Sequence, residues 1–140
     1  PAAYPNITTI SMGIGELELP ANKLDLAFTN QNYHDLHLKP FPLDTAAKVN
    51  AAVFKALKPG GVYVIVDHAA LPGDVTTTAT GLHRIDKEAV KREVTAAGFV
   101  FVGESDVLTN PADAHTANVF DGTIRGHTDQ FVLKFKKPKR

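Results

Sequence analysis

The sequence predicts an α/β fold, and three stretches carry that prediction. Leu24 to Thr29 is almost continuously apolar after Asp25, the pattern of a strand covered on both faces in a mostly parallel sheet. From Asp44 onward, Val49, Ala52, Val53, Ala56 and Leu57 recur at helical spacing. Pro59-Gly60-Gly61 stops them, and the apolar run Val62 to Val66 follows at once. Asp86 then opens a second amphipathic helix that ends at Gly98 and leads into another apolar run. Strands alternating with helices in this way are the mark of α/β layering.

Taken in order, Asn6 to Met12 is short and β-branched between Pro5 and Gly13, which predicts a strand. The Leu24 strand, the helix capped by Asp44 and the Val62 strand make one right-handed crossover, so the two strands are expected to be parallel neighbours. In the second helix Ile85 precedes the Asp86 cap, Val90 sits where a hydrophobic staple closes, and Val94 and Ala97 continue the stripe. Phe99 to Val102 is the next strand. Gln130 to Lys136 alternates Phe131, Leu133 and Phe135 with Val132 and Lys134, which suits a strand covered mainly on one face. The connection from about Thr109 to Asp129 carries no helical pattern, and connections of that length are usually functional or mobile. The whole is expected to be a single domain.

Charge excludes some partners. Fifteen basic and fifteen acidic residues cancel, so no global field draws the chain to nucleic acid or a lipid surface. The basic end, Lys134, Lys136, Lys137, Lys139 and Arg140, reads as a solvated tail. There is no cysteine, which excludes disulfides, thiolate metal sites and a cysteine nucleophile. No apolar run reaches the roughly 18 residues of a membrane span. The compartment stays open: a cytoplasmic place is favoured, a periplasmic one if an upstream signal was removed. The first residue is Pro1 rather than Met, which suggests a processed or truncated product.

Four motifs point to a family: the acidic turn Gly15-Glu16-Leu17-Glu18-Leu19-Pro20, the strand Leu24 to Thr29 with Asn30-Gln31-Asn32-Tyr33-His34-Asp35 behind it, Leu57-Lys58-Pro59-Gly60-Gly61, and Ala97-Gly98-Phe99. In combination they resemble the C-terminal half of a class I, Rossmann-like S-adenosylmethionine-dependent methyltransferase, similar to bacterial predicted methyltransferases. The resemblance implies a partial Rossmann-like sheet, mostly parallel, whose C-terminal strand is antiparallel and lies between the two before it. It also implies S-adenosylmethionine as cofactor and a small-molecule methyl acceptor. The family's Gly-rich cofactor loop and the acidic ribose ligand have no counterpart, since Gly13-x-Gly15 is only a short glycine pair. The chain is therefore expected to be part of a longer enzyme, or to associate through the bare edge of the Leu24 strand. The competing expectation is a non-catalytic module that pairs through that edge.

In open α/β sheets ligands sit beyond the carboxyl ends of the strands, which places Asn30 to Asp35 and Asp67-His68 on one rim. His34 or His68 is the candidate general base, with Asp35 or Asp67 to orient the ring; as structural residues the two histidines would be a loop cap and a strand end. Asn30, Asn32 and Tyr33 are candidate cofactor contacts through amide, hydroxyl and aromatic groups. The resemblance implies that Glu16 reads the adenine amino group. Asp67, Arg125 and His127 are candidate substrate contacts, and Asp113, His115, Asp121, Arg125 and His127 form either a lid over the acceptor or a merely solvated connection. His34-x-x-His37 with Asp35, His68 and His83 also has the composition of a metal cluster. Pro40 and Pro42 argue against the helix that spacing needs, so no metal is expected.

Overall fold

β1 (Leu24–Asn30), α1 (Thr45–Ala56) and β2 (Leu57–His68) form the expected crossover in a computed structural model that describes residues 3–139. Pro1 and Arg140, which figured in the expectations above, lie outside the described residues. β1 and β2 pair in parallel from Leu24 opposite Leu57 to Asn30 opposite Val66, and the register jumps between Leu24 and Leu26 to absorb Lys58 to Gly61. Gly60 makes that turn at φ +84°, a conformation open to glycine. Lys137 closes the same corner, its Nζ donating to the carbonyls of Phe54 and Leu57, each at 2.7 Å, and lying 4.7 Å from the Phe54 ring centre. The basic tail is thus anchored at this point rather than solvated throughout, because α1 ends with free carbonyls that need donors.

The chain continues through α2 (Val75–Leu82), α3 (Lys87–Ala96), β3 (Val100–Ser105) and β4 (Gln130–Lys136). The sheet order is β1-β2-β4-β3, with β4 antiparallel to both neighbours. Three strands therefore run one way, and the C-terminal strand runs the other way between β2 and β3, as the resemblance implied. The Asp86 carboxylate caps α3 through the Glu88 N–H at 3.0 Å, and the helix turns off at Gly98, φ +103°, where an added Cβ would meet the Phe54 ring.

The two sheet faces differ. Ala27, Tyr63, Ile65, Leu133, Phe135 and Phe101 share one face by register, and it packs into the core with Val53 of α1 and Val90 and Val94 of α3. The opposite face carries Leu26, Phe28, Val62, Val64, Val132 and Val100, joined by Lys134 and Lys136. No helix among the described residues covers it: Leu26 is 55% and Phe28 62% exposed. The expectation that the Leu24 strand is buried on both faces is corrected here, while its place at a bare edge stands.

Three further expectations change. Asn6 to Met12 is irregular rather than a strand, because no sheet edge among the described residues pairs with it. Asp44 makes no side-chain cap and instead pairs with Lys48 at 2.9 Å on the surface. Helix α2 has no counterpart in the periodicity reading; its β-branched Thr76-Thr77-Thr78 is poor helix material. Its cap, Asp74 accepting from the Thr77 N–H at 2.7 Å, is the signal that marks it. None of the helices described is long and apolar enough to cross a membrane.

Two buried polar groups fix the parts that hydrophobic packing leaves free. Arg84 is fully buried and donates to both Asp113 carboxylate oxygens, at 2.8 and 3.1 Å, and to the carbonyls of Ala69 and Ala117. Asp113 also accepts from the N–H groups of His115 and Asp129, so one carboxylate ties both ends of the long connection to the body. Tyr33 is buried too; its hydroxyl donates to Glu93 at 2.9 Å and accepts from Asn50 at 2.8 Å, linking α1 to α3.

Removing one member of a buried ion pair strands the other, so Asp113→Ala should lower unfolding free energy by about 3–5 kcal/mol in urea titrations. Burial by itself would raise the Asp113 carboxyl, but the Arg84 and backbone hydrogen bonds outweigh it and hold it below the ordinary carboxylate value. Its contribution is complete above about pH 4, the unfolded value, and is lost as pH falls through the lower folded value. Asp113→Asn should remove that part of the acid slope. Tyr33→Phe, which leaves the buried Asn50 amide without its acceptor and Glu93 with His37 alone, should cost about 1–3 kcal/mol in the same titration.

Candidate functional site

The rim at the carboxyl ends of β1 and β2 is organised by Asp67. This carboxylate is fully buried and accepts from the His34 N–H at 2.7 Å, the His34 ring Nδ1 at 2.8 Å and the His68 N–H at 2.8 Å. Residues His34–His37 form a single 3-10 turn, and Asp67 holds the start of that turn against the end of β2. With Nδ1 donating to Asp67, His34 turns Nε2 toward Asp35, whose carboxylate lies 3.3 Å away. Burial opposes the imidazolium of His34, but the hydrogen bond and charge of Asp67, with the charge of Asp35, outweigh it and raise the ring above its ordinary value.

His68 is held differently. Its Nδ1 meets the Thr128 hydroxyl at 2.7 Å, and burial lowers the ring below its ordinary value despite the nearby Asp67 charge. The His34 and His68 rings are 6.1 Å apart. His83 closes the group from the end of α2, where it sits at φ +54°, with its ring edge-on to His34 at 5.4 Å. Ile85 then pairs with the end of β2 through Ile85 N–H to His68 O at 3.0 Å, which fixes where His83 and Arg84 lie.

A cleft of about 620 Å³ runs along the free edge of β1. Ile10, Met12, Leu17 and Leu19 form one wall; Ala27, Phe28 and Thr29 form the other; Asn32 and Asp35 lie at its polar end. Asn32 accepts a hydrogen bond from the Thr29 hydroxyl, which positions its amide there. Asn30 is exposed at the end of β1. Tyr33 also lines the cleft, but it is almost fully buried and its hydroxyl is taken by Glu93 and Asn50. Glu16 is exposed in a 3-10 turn, Ile14–Glu16, and lines a neighbouring groove with Lys48 rather than this cleft.

Of the expected substrate contacts, Asp67 is instead a buried support and touches no open space. Arg125 is exposed and stacks over Phe120 at 5.9 Å, and Phe120 in turn packs on His83 at 5.0 Å, so the long connection does reach the histidine group. His127 is exposed and apart from it. Asp113 and His115 serve the connection itself, His115 bonding Asp129 at 2.8 Å, and Asp121 caps a local turn through Thr123. His37 leaves the group by bonding Glu93 at 3.0 Å. Arg84 and Thr128 escaped the sequence reading, since a single arginine or threonine carries no pattern until the fold surrounds it.

No family model matches the sequence, and no curated protein matches it. Solved structures do. The [4+2]-cyclase SpnF superposes with a TM-score of 0.63 at 19% identity, over 92% of this chain and 55% of that one. An S-adenosylmethionine-dependent methyltransferase from Mesorhizobium loti gives 0.60 at 17% identity, over 97% and 73%. The 1,6-didemethyltoxoflavin-N1-methyltransferase of Burkholderia thailandensis, with 1,6-didemethyltoxoflavin and S-adenosylhomocysteine bound, gives 0.58 at 16% identity, over 92% and 50%. The chain thus spans 55% of the cyclase and half of the toxoflavin enzyme. Its four-stranded sheet, with β4 reversed between β2 and β3, is part of the Rossmann-like fold of S-adenosylmethionine-dependent methyltransferases.

Proposed function

We propose that the chain carries part of the active site of an S-adenosylmethionine-dependent methyltransferase that acts on a small-molecule acceptor within a longer or assembled enzyme. The observation that supports this most directly is the superposition of this chain, with its sheet order β1-β2-β4-β3, on methyltransferases such as the toxoflavin enzyme, whose structure holds 1,6-didemethyltoxoflavin and S-adenosylhomocysteine. The bare apolar face with Leu26 and Phe28 supports the second half of the proposal, because sheets of this type are covered on both faces.

The residues present fit the cofactor at one end of its site: the β1 cleft offers an apolar wall and, at its carboxyl end, the amide of Asn32. Asn32 and Asn30 would hold it there. When bound, S-adenosylmethionine supplies an electrophilic methyl carbon on a sulfonium. The protein's task is then to hold a nucleophile in line with that carbon. His34 is the group set to act on the acceptor, since Asp67 fixes its ring through Nδ1 and leaves Nε2 at the rim. His68 and Asp67 would position it, and Arg125, which lies over Phe120, would meet an anionic group on the acceptor.

A second reading rests on the exposure of Leu26 and Phe28: a non-catalytic module that pairs through the β1 edge. Calorimetry with S-adenosylmethionine separates the two. Binding supports the enzyme, and a chain of verified mass that binds none removes the enzymatic reading for this form. In an active assembly, His34→Ala should lower the methylation rate on the order of a hundredfold, the usual worth of acid–base help, with cofactor affinity unchanged. Unchanged turnover would remove His34 from the mechanism. Leu26→Lys with Phe28→Lys should shift any self-associated species toward monomer in sedimentation velocity while leaving the circular dichroism spectrum as it was.

A further inference from the structure

We infer that His34, Asp35 and His83 form a binding site for one divalent transition-metal ion of the zinc type. The site rests on the methyl-transfer reading for its role though not for its existence: with Nε2 on the ion, His34 would support the ion beside the acceptor rather than take a proton itself.

The donor atoms come from two separate parts of the chain and converge. His34 and Asp35 begin the 3-10 turn after β1, and His83 ends α2; one nitrogen or oxygen from each lies within 4.8 Å of the others. His34 Nε2 and the Asp35 carboxylate are 3.3 Å apart. Ligands about 2.1 Å from a tetrahedral ion stand roughly 3.4 Å from one another, so this pair is already at coordination spacing. His83 is half-buried and makes no side-chain hydrogen bond among the described residues, so a small rotation brings its nitrogen in.

An independent observation is the support behind His34. A metal-binding imidazole commonly donates its other ring N–H to a carboxylate, which fixes the tautomer and aims the lone pair at the ion. Asp67 occupies that position at 2.8 Å from Nδ1, is fully buried, and is itself held by the His34 and His68 N–H groups. His34 is therefore flanked by a carboxylate at each nitrogen, one as orienter and one at the place where a cation belongs. His37, His68 and His115 have no such freedom: each has a ring partner of its own in Glu93, Thr128 or Asp129.

Two imidazole nitrogens and one carboxylate oxygen suit zinc, cobalt or iron rather than magnesium or calcium, which prefer oxygen. Three protein ligands leave a fourth position open, the arrangement of a reactive rather than a structural zinc. Asp35 also lines the polar end of the β1 cleft, so the ion would border the space proposed for cofactor and acceptor.

The test uses untagged, chelator-treated protein titrated with Zn²⁺ by calorimetry and with Co²⁺ by visible absorption. One saturable site per chain is expected, with the intense cobalt bands of low coordination number. Asp35→Asn and His83→Asn, the latter chosen because asparagine tolerates the positive φ, should each weaken binding on the order of tenfold or more. Asp67→Asn should weaken it by about 10- to 100-fold, the range for a supporting carboxylate. His37→Ala and His115→Ala should leave it unchanged. Circular dichroism of each variant confirms that the fold persists. No saturable binding, or binding that survives His83→Asn and Asp35→Asn in folded protein, would overturn the site. Metal binding without S-adenosylmethionine binding would leave the site standing and remove only the enzymatic reading for this form.

Discussion

The buried Asp67 carboxylate is the point on which the site depends. Burying an ionised carboxylate is costly unless donors surround it, and here three are supplied by His34 and His68. Those donors come from two elements: the turn after β1 and the last residue of β2. The charge therefore welds the strand ends together just where β1 and β2 stop pairing. Hydrophobic packing alone would leave the 3-10 turn free to slide, because Tyr33 and Leu36 fill the core without fixing a direction. The carboxylate fixes it, and with it the face of the His34 ring.

A second buried charge does the same for the long connection. Arg84 follows His83 in sequence, and Ile85 after it pairs with the end of β2. By gripping Asp113, Arg84 holds the Asp129 backbone, and the residue before that, Thr128, bonds His68. The connection is thus neither a free lid nor plain solvated loop. It is a strap whose two ends are set by one carboxylate and whose middle, through Phe120 and Arg125, leans on His83.

How much of this was legible follows from the kind of interaction involved. The β1-α1-β2 crossover, α3 with its Asp86 cap and the alternation of β4 are local patterns of period two or 3.6, and each appears where the sequence placed it. Asn6 to Met12 has the composition of a strand, but a strand exists only by its neighbours, and none among the described residues pairs with it. The site was half legible. The carboxyl-end rule pointed to one rim, and His34, Asp35, Asp67 and His68 do lie together on it. It could not tell that the Tyr33 hydroxyl turns to Glu93, that Asp67 is buried beneath His34 and His68, or that His37 leaves while His83 arrives. Those outcomes depend on partners 33 to 60 residues away, whose distance in sequence carries no signal.

Fold and chemistry separate cleanly in this protein. The same architecture serves a [4+2]-cyclase and several methyltransferases, so the sheet order places a site without choosing its reaction. What the architecture contributes is general: two parallel strand ends, a rim between them and a cleft beside β1. What the chain adds is specific: a histidine oriented by a buried carboxylate, a second carboxylate at its free nitrogen and another histidine brought to it by α2. A purely structural rim would be satisfied by neutral polar groups, since each buried charge demands donors and constrains packing. Two carboxylates around one imidazole instead build a local negative field that favours a cation at Nε2.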